Sequence, residues 1–142
     1  MRVPAVTIAM LLAAACVRAG TGEALYAGDL PIGARLRGDA QLLPPTATRC
    51  INCHEAGPGQ APSSRTYAPR LDRETLLHPL ARRGGPQSAY DEPSFCRAVR
   101  EGIDPANMLL RRSMPQYAAD DAQCESLWRF LSHRASLQGV PE

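Results

Sequence analysis

Two cysteines one helical turn apart, with a histidine directly behind them, form the most chemically loaded stretch of this chain: Cys50-Ile51-Asn52-Cys53-His54. The i, i+3 spacing puts both sulfurs on one side of a helix turn, where each could add to a vinyl group of a porphyrin while the histidine binds iron beneath the ring. The same spacing could form a redox disulfide or half of a tetrahedral zinc site. Zinc commonly needs a second paired knuckle, and the remaining candidates, Cys96 and Cys124, stand alone in the sequence. A thioredoxin-like disulfide needs the pair at the head of a helix fed by a β-strand, and no strand pattern precedes Cys50. Haem attachment is the chemistry best served by this order of residues.

A haem with both axial positions filled needs a second ligand, and the side chains able to supply it are Met108, Met114, His78 and His133. Met114 opens Met114-Pro115-Gln116-Tyr117, in a turn-rich stretch just ahead of the final helix, where core packing is a poor explanation for a thioether. Met108 could replace it if that loop folded differently, and His78 could make a bis-histidine site. The simplest roles for His78 and His133 are at the surface.

The elements that must position these groups are helical and short. A proline suits the first turn of a helix, so one helix is expected to begin near Pro45 and carry the motif in its later turns, ended by the glycines after Glu55. A short helix is expected around residues 23–26 and a turn at Gly38-Asp39. Residues 56–70 read as a loop, and a second loop spans Arg82 to Asp91. Asp91, Pro93 and Gly102 frame the next helix, whose buried side carries Phe95, Cys96 and Val99. Asp120-Asp121 cap the last one, with Cys124, Leu127, Trp128 and Leu131 at i, i+3, i+4 and i+7. With no convincing strand alternation, the expected class is all-α, short helices joined by long ordered loops.

The 142 residues suit one domain, and 13 prolines with 11 glycines favour short elements over a long sheet or bundle. A bound cofactor would supply missing apolar core. All 16 basic residues are arginine. Residues 1–19 place Arg2 ahead of an uncharged apolar run too short to span a bilayer comfortably, as in a secretory signal peptide, with Val17-Arg18-Ala19 as the cleavage site. Ala13-Ala14-Ala15-Cys16 is a competing, lipoprotein-like site. Loss of Arg2 and Arg18 leaves 14 basic against 14 acidic side chains. That balance gives no support to nucleic-acid binding. Export to an oxidising compartment also means that Cys50, Cys53, Cys96 and Cys124 each need a covalent partner or a metal.

The motif, the Met114-Pro115-Gln116-Tyr117 run and the terminal "DDAQCESLWRFL" together resemble the mono-haem class I cytochromes c, over roughly residues 45–135. The resemblance implies a cytochrome c-like fold around one covalently bound haem c, with Cys50 and Cys53 attaching it and His54 and Met114 binding its iron. It also implies that the Pro69 carbonyl accepts a hydrogen bond from His54 Nδ1, while Tyr117 and Trp128 are placed at the haem crevice. The loop over 56–70 departs from the common pattern, and the glycine and aromatic pair usual on the N-terminal helix has no clear match. Residues 1–19 are accordingly assigned to a signal peptide, 20–44 to an N-terminal extension, 45–137 to the cytochrome domain and 138–142 to a tail.

Cys96 and Cys124 flank the methionine loop on two helices, and a disulfide between them is expected to stabilise the fold by roughly 3 kcal/mol. Arg82-Arg83 and Arg111-Arg112 could reach haem propionates, although solvated charge is the commoner explanation for exposed arginines, and neither pair is counted among the site residues. Two filled axial positions leave no substrate site, so the expected role is electron transfer and not catalysis. The protein would be periplasmic, passing single electrons from a dehydrogenase or respiratory complex to an oxidase or another cytochrome, and meeting a membrane only through a lipidated Cys16 or a partner complex. A haem enzyme or ligand sensor with a labile distal position is the competing class. A fixed subunit of a larger oxidoreductase, docked through residues 20–44, is a third.

Overall fold

The computed structural model describes residues 21–55 and 68–135. The expected signal segment with Cys16, most of the expected 56–70 loop and the 138–142 tail lie outside the described residues. Residues 21–27 form helix α1. It is followed by β1 (Ala34–Arg35), a 3₁₀ turn (Pro45–Ala47) and α2 (Ile51–His54). Next come α3 (Arg73–Leu77), the hairpin strands β2 (Leu80–Ala81) and β3 (Gln87–Ser88), α4 (Glu92–Glu101), β4 (Gln116–Tyr117) and α5 (Asp121–His133).

The two long helices start and stop where local chemistry dictates. Asp91 accepts the Ser94 N–H while the Ser94 hydroxyl accepts the Asp91 N–H, a reciprocal capping box that satisfies donors the first turn leaves open. Asp120 and Gln123 repeat the device for α5, and α4 closes on Gly102. The short α3 has only one side-chain cap, Asp72 on the Thr75 N–H. Its five residues are too few to show a helical period, so it had no sequence signature.

The helix expected to run unbroken from Pro45 is interrupted. After the 3₁₀ turn the chain pivots at Thr48, whose carbonyl accepts the Tyr117 hydroxyl at 2.9 Å. That carbonyl is committed to a tertiary partner, and the motif turn restarts with the Cys53 and His54 N–H groups on the Cys50 carbonyl. The structure also adds to the all-helical expectation two antiparallel ladders, β1 with β4 in the register Ala34↔Tyr117 and β2 with β3. Strands of two residues have no room for a period-2 pattern.

Residues 20–44, expected to be an extension, supply core: Leu25, Tyr26, Ile32 and Ala34 are buried in the same cluster as Leu76, Phe95, Tyr117, Leu127 and Leu131. Helix α1 crosses α5 at Gly22, where an added Cβ would lie 2.2 Å from the Ser126 carbonyl oxygen and 2.7 Å from Phe130 Cβ. One turn on, the Tyr26 and Phe130 rings sit 5.7 Å apart. Because the obstacle is helix backbone, Gly22→Ala is expected to force the helices apart and cost about 1–3 kcal/mol, the usual scale of overpacking. Thermal unfolding of the variant measures it, and an unchanged midpoint would show that the crossing is not closely packed.

Cys96 and Cys124 form a disulfide between α4 and α5, with Cα atoms 5.8 Å apart. Helix α5 also packs on α3, and α4 on β4. The helices thereby surround one face of a large cavity, described next.

Candidate cofactor cavity

Arg49 connects α1 to the motif. Its stem crosses Gly28, where a Cβ would meet Arg49 Cγ at 2.4 Å, and its Nε donates to the Ala27 carbonyl at 2.7 Å. Gly28 also has φ +83, a backbone conformation that glycine adopts without penalty. Arg49 is therefore held against the end of α1, and Cys50 follows it onto the wall of a cavity of about 710 Å³.

Cys50, Cys53, His54, Pro69 and Met114 all line this cavity. Both cysteines are free thiols. His54 is buried, and its Nδ1 lies 2.7 Å from the Pro69 carbonyl oxygen, the contact that the resemblance implies. A carbonyl only accepts, so Nδ1 carries the proton and Nε2 holds a lone pair. Burial pushes the imidazole below its ordinary pKa, against a smaller opposing effect of the Pro69 bond, and so favours this neutral form. Nε2 itself is buried without a hydrogen-bond partner. A buried polar atom left unpartnered is costly, and a lone pair in that position suits a metal bound in the cavity.

The ends of the loop carrying Pro69 are fixed by charge. Glu55, directly after His54, pairs with Arg70, directly after Pro69, at 3.7 Å, and also accepts from Arg134 beyond α5. Tyr26 donates to the other Glu55 oxygen at 3.1 Å. Three separated segments thereby meet around the residue next to the histidine. The Arg134 hydrogen bond is the main influence holding the Glu55 carboxyl below its ordinary pKa.

Met114 reaches the cavity from a loop tied down at several points. Its own N–H bonds the Arg111 carbonyl at 3.0 Å, the Leu110 N–H bonds the Gly102 carbonyl at 2.8 Å, and Arg37 donates to the Leu110 carbonyl at 3.0 Å. Gln116 donates to Glu101 at the end of α4. Among the four side chains expected to compete as the second axial ligand, only Met114 lines the cavity. Met108 stands over Gly85 and is exposed, as are His78 and His133, the last with Nδ1 on the Arg129 carbonyl.

Tyr117 lines the cavity, but Trp128 does not: it packs behind Phe95, ring centroids 5.5 Å apart, and Phe95 forms the wall in its place. The helical stripe marked Trp128 as buried without showing that a ring from α4 would stand in front of it. Tyr90 and Asp104 line the cavity too, with no sequence signal for either beyond residue type. Arg82, Arg83 and Arg111 lie at its lining, while Arg112 turns away to the Arg37 carbonyl. Arg82 is already engaged by the Thr75 and Ser88 carbonyls.

Burial raises the Cys50 thiol to about 11, against a lowering by its hydrogen bond with Tyr117. Cysteines of dithiol–disulfide redox centres have thiols shifted the other way, so the shift argues against that reading of the pair. Cys96 and Cys124 bond each other and leave no lone pair of thiolates for a zinc site shared with the motif. The donor set that remains, one imidazole nitrogen and one thioether with two thiols beside them, fits a covalently attached haem. Compared with protein-family models, curated proteins and solved structures, the chain matches none.

Proposed function

We propose that this chain is an exported mono-haem c-type cytochrome that carries single electrons between a dehydrogenase or respiratory complex and an acceptor protein. The observation carrying this proposal is the buried, unpartnered His54 Nε2 in one cavity with two free cysteines and Met114. The crossing of α1 and α5 at Gly22, with Tyr26 against Phe130, adds support, because it provides the glycine and aromatic pair that the resemblance calls for.

Haem iron, when bound, supplies a one-electron couple whose potential depends on axial ligands and surroundings. The chain's own residues do the rest. Cys50 and Cys53 would hold the porphyrin by thioether bonds, so that it is retained outside the cytoplasm. His54 would bind iron through Nε2, with Pro69 fixing the ring's tautomer and orientation. Met114, held by the Arg111 turn and β4, would offer the iron a second protein ligand, and a soft thioether favours the reduced metal. Phe95, Tyr117, Leu127 and Leu131 would exclude water and lower the local dielectric. No helix among the described residues is long and apolar enough to cross a membrane. Association with partners through small, weak interfaces would let the carrier leave after transfer.

The test is the absorption spectrum of the oxidised and reduced protein, repeated for Met114→Ala. The expected result is a weak sulfur-to-iron charge-transfer band at the red end of the oxidised spectrum, absent from the variant. A wild-type protein without the band, high-spin and open to added ligands, would overturn the carrier assignment and favour a haem enzyme or sensor.

A further inference from the structure

His54 and Pro69 are 15 residues apart in sequence, and their hydrogen bond does not stand alone. The next residue on each side, Glu55 and Arg70, forms an ion pair across the same gap at 3.7 Å. One neutral hydrogen bond gains less than closing a loop of that length costs. The direction of the Pro69 carbonyl therefore depends on what fixes the residues beside it.

Glu55 is the hub of that support. Its Oε2 accepts the Tyr26 hydroxyl, from α1, at 3.1 Å, and its Oε1 accepts from Arg134, just beyond α5. Arg134 also lies over the Tyr26 ring at 5.2 Å, and its carbonyl accepts the Arg73 N–H at 3.0 Å. Arg70 is held from its other side by Asp72 at 3.3 Å, the buried acid that caps α3. Two acids, Glu55 and Asp72, are thus matched by two arginines, Arg70 and Arg134. None of the four lines the cavity, so the cluster can act on a bound group only through the residues it holds.

We propose that Glu55 is a positioning residue for His54: it couples the α1–α5 crossing, through Tyr26, Arg134 and Arg70, to the Pro69 carbonyl that holds the imidazole. This rests on the haem assignment above. A firmly directed carbonyl draws on the Nδ1 proton, makes Nε2 a stronger donor and so favours Fe(III). Loosening the Glu55 support weakens that donor and favours Fe(II).

Charge alone would give a different pattern, which separates the two effects in the full-length holoprotein. Glu55→Gln removes an anion and Arg70→Gln a cation. Acting simply as charges, they would move the reduction equilibrium in opposite directions, toward Fe(II) and toward Fe(III) respectively. Acting as parts of one support, both are expected to move it toward Fe(II) at an electrode, by about threefold, less than the tenfold or so that losing a ligand's hydrogen-bond partner outright costs a metal site. Proton NMR of the reduced protein gives a second readout. The His54 Nδ1–H is expected to exchange with solvent about tenfold faster in both variants, through local opening, while the amides of α4 keep their wild-type rates. Opposite shifts in potential, or an unchanged Nδ1–H rate, would overturn the proposal. If Glu55→Gln is not recovered folded, Arg70→Gln decides alone, and a shift toward Fe(III) or none at all would count against the positioning role. Failure of the haem assignment looks different: the wild-type protein would carry no covalent haem, or no methionine band, before Glu55 is altered.

Discussion

Protein in which both motif thiols are replaced, Cys50→Ser with Cys53→Ser, is expected to be recovered without covalently bound haem and largely unfolded. The size of the cavity makes this the largest single effect. A dry void of about 710 Å³, at roughly 24 cal/mol per Å³, would cost about 17 kcal/mol, more than the 5–15 kcal/mol or so by which a typical domain is stable. Water entering the open side lowers that figure, yet the lining is mostly apolar and hydrates poorly. The polypeptide alone is therefore expected to collapse into the space or to unfold. Intact mass and near-ultraviolet circular dichroism check both halves of the prediction: the mass should equal that of the bare chain, and the sharp tertiary signals should be lost. A folded, haem-free double variant with native tertiary signals would show that the cavity is not a cofactor site.

Removing the disulfide should be the next largest change. Cys96 and Cys124 are separated by 28 residues, a span that includes the whole methionine loop. Chain entropy alone assigns such a cross-link about 3–4 kcal/mol. Cys124 is fully buried, so alanine there also leaves unfilled volume in the packing of α4 against α5. Cys96→Ala with Cys124→Ala is expected to lower the thermal midpoint by roughly 10–15 °C. It should also loosen Met114, whose loop is bounded by the two cross-linked helices. The charge-transfer band should consequently fade at a temperature below global unfolding. Fading only at the unfolding midpoint would mean that the backbone bonds from Gly102, Arg111 and Arg37 hold the loop by themselves.

What the sequence alone determines here is largely local. The attachment chemistry proposed here rests on five consecutive residues, because covalent reach along one helical turn depends on spacing. Helices α4 and α5 were legible from their caps and stripes, since Asp91, Gly102 and Asp120 act within a few residues of themselves. Even Met114 was singled out by its turn-rich surroundings and by the resemblance, and of the four side chains weighed it alone lines the cavity.

The remaining features depend on contacts between distant segments. The break at Thr48 exists because Tyr117 takes its carbonyl from 69 residues away. Residues 20–44 looked like an appendage because their few buried side chains, Leu25, Tyr26, Ile32 and Ala34, follow no sustained period. Only the crossing at Gly22 and the pairing of β1 with β4 show them to be core. Trp128 lost its expected place to Phe95 for the same reason. Which face of a helix is buried can be read from periodicity, but what stands in front of that face is decided by the other elements that pack there.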